Sequence, residues 1–207
     1  MITTIIIAVT VITSIIGFSN KRFAYGGMFN AYDIVQNKKY YKLITHGFLH
    51  ADTTHLLFNM IALYCFGRIV EMWFFALLQF SGTRIGDYVY ILLYLSAIVV
   101  ASLPDLYKHR NNPNYYSLGA SGAISAVLFS AILFEPTMKI YVFLIPIGIP
   151  AAIFAPVYLI YCQWMAKRGR DNIGHSAHFW GAVYGLVFTI IAYPNSVENF
   201  VSTIFGL

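Results

Sequence analysis

Charge is scarce in this chain of 207 residues: Asp, Glu, Lys and Arg together make up 10% of it, against about a quarter in soluble domains. That scarcity argues against a soluble globule, which has too little polar surface here to cover its apolar content. Cysteine is nearly absent too. Cys65 and Cys162 are the two present, both inside apolar runs, so they give no disulfide framework and do not report a redox compartment. No internal repeat, low-complexity tract or second domain is visible, and residues 1–207 read as one membrane domain. The run from Met1 to Ile16 lacks a basic leader and a small-residue cleavage site, so it reads as a span and not as a removable signal.

What is present is apolar and aromatic. Hydrophobic residues reach 59% and aromatic residues 17%, and rings favour the membrane–water boundary. A bilayer core needs about 20 helical residues. Six segments meet or approach that length: about 1–18, 54–78, 88–103, 118–134, 140–165 and 175–193. The expected fold class is therefore an all-α membrane protein with six transmembrane helices. Pro146, Pro150 and Pro156 predict a kinked or broken fifth span, since each ring removes a donor and crowds the preceding turn. The longest connection, about 19–53, mixes five basic residues with several Tyr and Phe and suits a structured loop in the interface.

The formal charge of +5 comes from 13 basic residues that form no long stripe. Anionic lipid head groups are the simpler partner, and no nucleic acid is expected. Ten of the basic residues fall in odd-numbered loops: Lys21, Arg22, Lys38, Lys39, Lys42, Lys108, Arg110, Lys167, Arg168 and Arg170. Arg68, Arg84 and Lys139 fall in even-numbered ones. Positive-inside counting alone puts the odd loops in the cytoplasm.

Polar residues inside spans are costly, so each calls for a role. Ser121 lies in Gly119-Ala120-Ser121-Gly122, where small neighbours leave its hydroxyl reachable and a helix start offers free N–H groups. The competing reading is a small-residue packing patch. His178 is followed by Gly181 and Gly185, a spacing that lets helix backbones touch. It is either a base for Ser121 or a histidine bonded across helices. His55 and Asn59 are four apart and share a helical face. They are either oxyanion donors or polar glue. Five of the six histidines, His46, His50, His55, His175 and His178, fall in two groups, so a metal or haem centre is a competing reading. No His-Glu-xx-His motif is present, six histidines are fewer than a desaturase-type di-iron set resembles, and no metal or cofactor is expected.

Taken together, Thr45-His46 with His50, His55-xxx-Asn59, Gly119-Ala120-Ser121-Gly122 and Ala177-His178-xx-Gly181-xxx-Gly185 resemble the rhomboid family of intramembrane serine proteases, in its basic six-span bacterial form. The resemblance implies Ser121 as nucleophile and His178 as general base, a dyad without an acidic third member. It implies an oxyanion hole from His55, Asn59 and the Ser121 N–H. Gly119, Gly122, Gly181, Gly185, His50 and Glu71 match structural positions. The implied activity is cleavage of single-span membrane proteins in or near their membrane segment, in a bacterial inner membrane, with termini inside. A non-catalytic relative that binds transmembrane clients is the alternative, though such proteins lack the serine or histidine. A transporter or channel is disfavoured by the lack of inverted repeats. The family often has Trp-Arg in the first loop where this chain has Tyr41-Lys42, and some relatives have an aromatic at the position of Ser125. Both differences leave local support to be found elsewhere.

Overall fold

The structure is a computed structural model that describes residues 1–78, 84–142, 146–169 and 173–206. Arg170 and residues 143–145 of the expected fifth span lie outside the described residues.

The architecture is mostly helical. Among the described residues, three helices are long and apolar enough to cross a membrane: α1 (Ile2–Ser19), α5 (Thr53–Leu78) and α6 (Ile85–His109). A fourth arises if α9 (His175–Ala192) and α10 (Asn195–Phe205), which meet at 108°, count as one span. The helix that carries Ser121, α7 (Ser121–Phe134), has 14 residues. At 1.5 Å per residue it is about 21 Å long, shorter than a bilayer core. Every residue of α7 from Gly122 to Phe134 is buried, and α5, α6 and α9 all pack on it. Its largely apolar sequence follows from that central place, since a helix buried on all sides needs no polar face.

Two expectations from sequence are corrected. The chain is not all-α: β1 (Lys139–Tyr141) pairs antiparallel with β2 (Gly148–Pro150), Ile140 opposite Ile149. The helix expected from residue 140 therefore starts eleven residues later, as α8 (Ala151–Arg168) with Pro150 at its N-cap. Pro146 and Pro150 exclude a continuous helix, whereas Pro156 is accommodated inside α8. The third expected span also runs longer. It passes Pro104 to His109, and its end is held by Tyr115, which donates to Asp105 at 3.1 Å and stacks on His109. Helix α10 was not expected; it begins beyond Pro194.

Residues 20–52 are structured, as expected. They form α2 (Lys21–Gly27), α3 (Ala31–Gln36), α4 (Lys42–Thr45) and a 3₁₀ turn at His46–Phe48. Lys42 answers the question raised by the missing arginine. Its ammonium is almost fully buried, donates to the Tyr25 carbonyl at 3.0 Å and pairs with Asp33 at 3.1 Å. Asp33 also receives Asn37 and Lys39. Burial opposes its ionisation, yet these donors hold its carboxyl down at about 2.

Candidate active site

Ser121 is the first residue of α7, and the path into it is fixed by the 20–52 segment. Phe29 and Ser117 exchange backbone bonds at 2.9 and 3.1 Å, Asn30 donates to the Pro113 and Tyr115 carbonyls, and the Gly119 N–H donates to the His46 carbonyl at 3.0 Å. Gly119 then turns through φ +128°, which only glycine adopts without strain. A side chain there would also strike the His55 ring, 2.9 Å from the Cβ position. The N-cap of α7 is Ala120, with no side-chain cap. First-turn N–H groups at such an end have no intrahelical partner and lie at the positive end of the helix dipole.

His178 is the fourth residue of α9, and its Nε2 lies 2.7 Å from Ser121 Oγ. Glycine makes that approach possible. A Cβ on Gly181 would sit 2.1 Å from the Gly122 carbonyl oxygen, and one on Gly185 would sit 2.1 Å from that of Ala126. Gly122 in turn faces the Cβ atoms of Ala101 and Ala177. One step deeper, the Ser130 and Thr189 hydroxyls meet at 2.7 Å. These contacts bring α7 and α9 backbone to backbone, which is the small-residue packing expected in membranes.

His55 lies in the first turn of α5, beside Gly119. Asp52 caps that helix by accepting from the His55 N–H at 2.8 Å. The Ala51 N–H points at His55 Nδ1 from 3.5 Å. With Nδ1 accepting, the tautomer assigned to the ring carries its proton on Nε2, the nitrogen 3.1 Å from the Gly119 Cβ position. Asn59 is buried and gives one amide hydrogen to the His55 carbonyl at 2.9 Å, which leaves its second. His55, Ser121 and His178 thus sit in the first turns of α5, α7 and α9, with Asn59 one turn further along α5. Three positive dipole ends converge beside the Ser121 hydroxyl, an arrangement that favours negative charge there.

Of the remaining residues singled out from sequence, His50 lies beside this centre and Glu71 lies away from it. His50 Nδ1 lies 3.0 Å from Ser14 Oγ, and Ser14 also donates to the Phe48 carbonyl. Its one proton goes there, so His50 donates to Ser14 and its ring packs edge-on to His55. Glu71 is sixteen residues beyond His55 on α5, about 24 Å away along the axis. It accepts from the Ile2 and Thr3 N–H groups and from the Thr3 hydroxyl at 2.7 Å, and so clamps α1 to α5 far from Ser121. Ser125, where some relatives carry a ring, meets the Tyr158 hydroxyl at 2.8 Å. A ring from α8 thus reaches the spot one turn below Ser121. Sequence reading had no signal for this, because Tyr158 is one of 16 tyrosines. Nor does the sequence mark Cys162, beyond its apolar run, as a partner of His175 and His178, with which its Sγ shares a 4.8 Å cluster.

His46 and His50 lie outside the spans and titrate low. Burial pushes His46 to about 4, and burial reinforced by His55 pushes His50 to about 3, both from 6.5. Between those values and 6.5 the unfolded chain binds more protons than the folded one, so stability falls as pH falls. Each histidine costs about 1.4 kcal/mol per pH unit below 6.5. Lowering the pH from 7.5 to 5.5 is therefore expected to lower the melting temperature in detergent by several degrees, and His50→Asn to flatten that slope. A melting temperature independent of pH over this range would contradict it.

Comparison with known proteins agrees with the motifs. A family model described as the rhomboid domain matches residues 37–195. The chain is 29% identical over 174 residues to "RHOMBOID-like protein 12, mitochondrial" of Arabidopsis thaliana, covering 81% of this chain and 51% of that one. It thus spans about half the length of the plant relative. It is 23% identical over 156 residues to "Rhomboid protease GlpG" of Haemophilus influenzae, covering 75% of this chain and 71% of that one.

Proposed function

Because the chain belongs to the rhomboid family, we propose that it is an intramembrane serine endopeptidase working through a Ser121–His178 dyad. The observation that carries this reading is the 2.7 Å contact between Ser121 Oγ and His178 Nε2, joining residues 57 apart in sequence in a chain whose short central helix begins at that serine. A hydroxyl becomes a nucleophile when a neighbouring imidazole takes its proton.

The proposed substrates are single-span membrane proteins, cut in or near their membrane segment after local unwinding exposes a peptide bond. Ser121 Oγ attacks the carbonyl carbon as its proton moves to His178 Nε2. The oxyanion settles among the Ser121 N–H, His55 Nε2–H and the spare Asn59 amide hydrogen. His178 then protonates the leaving amine, and water releases the acyl group by the same steps. The six-crossing topology belongs to this proposal, with α7 as a short crossing within the bundle and α8 as the fifth. So does one functional unit over residues 1–207, in a bacterial inner membrane, with lipids as its other partners.

A fluorophosphonate probe tests the reading directly. Wild-type protein in detergent is expected to be labelled once, at Ser121, with labelling lost in Ser121→Ala and reduced at least a hundredfold in His178→Ala. Wild-type protein that neither reacts with the probe nor cleaves a single-span substrate favours the non-catalytic alternative.

A further inference from the structure

Helix α8 buries few side chains against the bundle. Among its described residues Ala151 and Cys162 are buried, while Ile153, Val157, Ile160 and Trp164 face outward. Cys162 therefore occupies a specific inward position. It meets His175, which is also buried, and half-buried His178, and one donor atom from each lies within 4.8 Å of the others. Two imidazoles and a thiol from two helices make a three-ligand set with an open fourth position, the arrangement zinc takes in reactive sites. Bonds of about 2.0–2.3 Å from a central ion require the donors to close by roughly 1 Å, within reach of side-chain rotation. The thiol selects a soft ion over magnesium or calcium.

We propose that Cys162, His175 and His178 form an inhibitory site for a soft divalent cation of the zinc class. Binding releases the Cys162 thiol proton and places the ion between α8 and α9. It disables His178 whichever ring nitrogen is used. A neutral imidazole has one lone-pair nitrogen and one N–H. If the ion takes Nε2, Ser121 loses its acceptor. If the ion takes Nδ1, the proton resides on Nε2, which then cannot accept from Ser121. The inhibitory consequence rests on the dyad proposed above, whereas binding itself does not.

The test uses the full chain carrying Cys65→Ala, since Cys65 is an exposed second thiol. One equivalent of Co²⁺ is expected to give a near-ultraviolet thiolate-to-metal band, displaced by Zn²⁺. Cys162→Ser removes the band, and His175→Asn weakens binding at least tenfold. Adding Ser121→Ala leaves the band intact. Saturating Zn²⁺ lowers substrate cleavage at least tenfold, a chelator restores it, and Cys162→Ser is insensitive. The proposal is overturned if no band forms, if the band survives Cys162→Ser, or if cleavage continues with the metal bound. If metal-free protein cleaves nothing, the dyad reading fails. The band and its dependence on Cys162 and His175 still decide whether the site exists.

Discussion

Ser121→Ala is expected to lower kcat for cleavage of a single-span substrate by about 10⁴- to 10⁶-fold, with little change in KM. His178→Ala is expected to match it, and the double variant to be no worse than either single one. The reason is that the two side chains act as one unit. The serine hydroxyl is a poor nucleophile until its proton has a destination, and that destination lies 2.7 Å away on Nε2. Removing either end of the contact removes the step. What remains is stabilisation of the oxyanion, which His55, Asn59 and the first turn of α7 continue to offer, so residual rates above the uncatalysed reaction are expected from all three variants. Purified variants assayed with a fluorogenic or gel-resolved substrate settle the matter. Additive losses, with the double variant slower by the product of the two factors, would mean that serine and histidine act independently. Undiminished cleavage by Ser121→Ala would end the protease assignment.

The residues at this centre were legible because the membrane penalises polar groups. In an apolar run a lone Ser, His or Asn stands out, and Ser121, His178, His55 and Asn59 all did. The family resemblance then put them in one order. The glycines were legible for a related reason. A four-residue spacing of Gly181 and Gly185 announces close backbone approach, and the structure puts the Gly122 and Ala126 carbonyls opposite those two positions. The β1–β2 hairpin was not legible, because Ile140 to Pro150 is as apolar as a span and hydropathy does not distinguish a strand from a helix in such a stretch. Its prolines indicated a break without indicating what replaces the helix. The Tyr158–Ser125 and Cys162–His175 contacts were hidden because they depend on which face α8 turns inward. That helix is apolar nearly all round, so no stripe in its sequence marks the buried side.

Convergence of three helix N-termini also explains why the site lies where it does. Had Ser121 stood in mid-helix, its neighbouring N–H groups would be spent on the helix's own carbonyls. At the first residue of α7 they are not, and Gly119 turns the incoming chain away so that they stay reachable.

Gly181→Ala separates packing from chemistry and has the second-largest expected effect. On propensity alone, alanine is worth about 1 kcal/mol over glycine in a helix interior, so the substitution would stabilise an isolated α9. Against that, the new methyl would lie 2.1 Å from the Gly122 carbonyl oxygen and 2.9 Å from its carbon. Backbone cannot rotate away as a side chain would, so α9 must move off α7. Overpacking of this kind costs about 1–3 kcal/mol, which exceeds the propensity gain at all but the low end of that range. His178 is three residues away on the same helix, and a displacement of about 1 Å from a reacting partner lowers rates by about a hundredfold. The expected result is a lower melting temperature together with a roughly hundredfold loss of kcat, while fluorophosphonate labelling slows in proportion. Gly26→Ala is the control: a methyl there meets nothing within 4 Å, so it is expected to leave kcat unchanged and not to lower the melting temperature. Full activity with raised stability in Gly181→Ala would show that α7 and α9 tolerate a wider separation, and that the serine–histidine contact does not depend on their backbones touching.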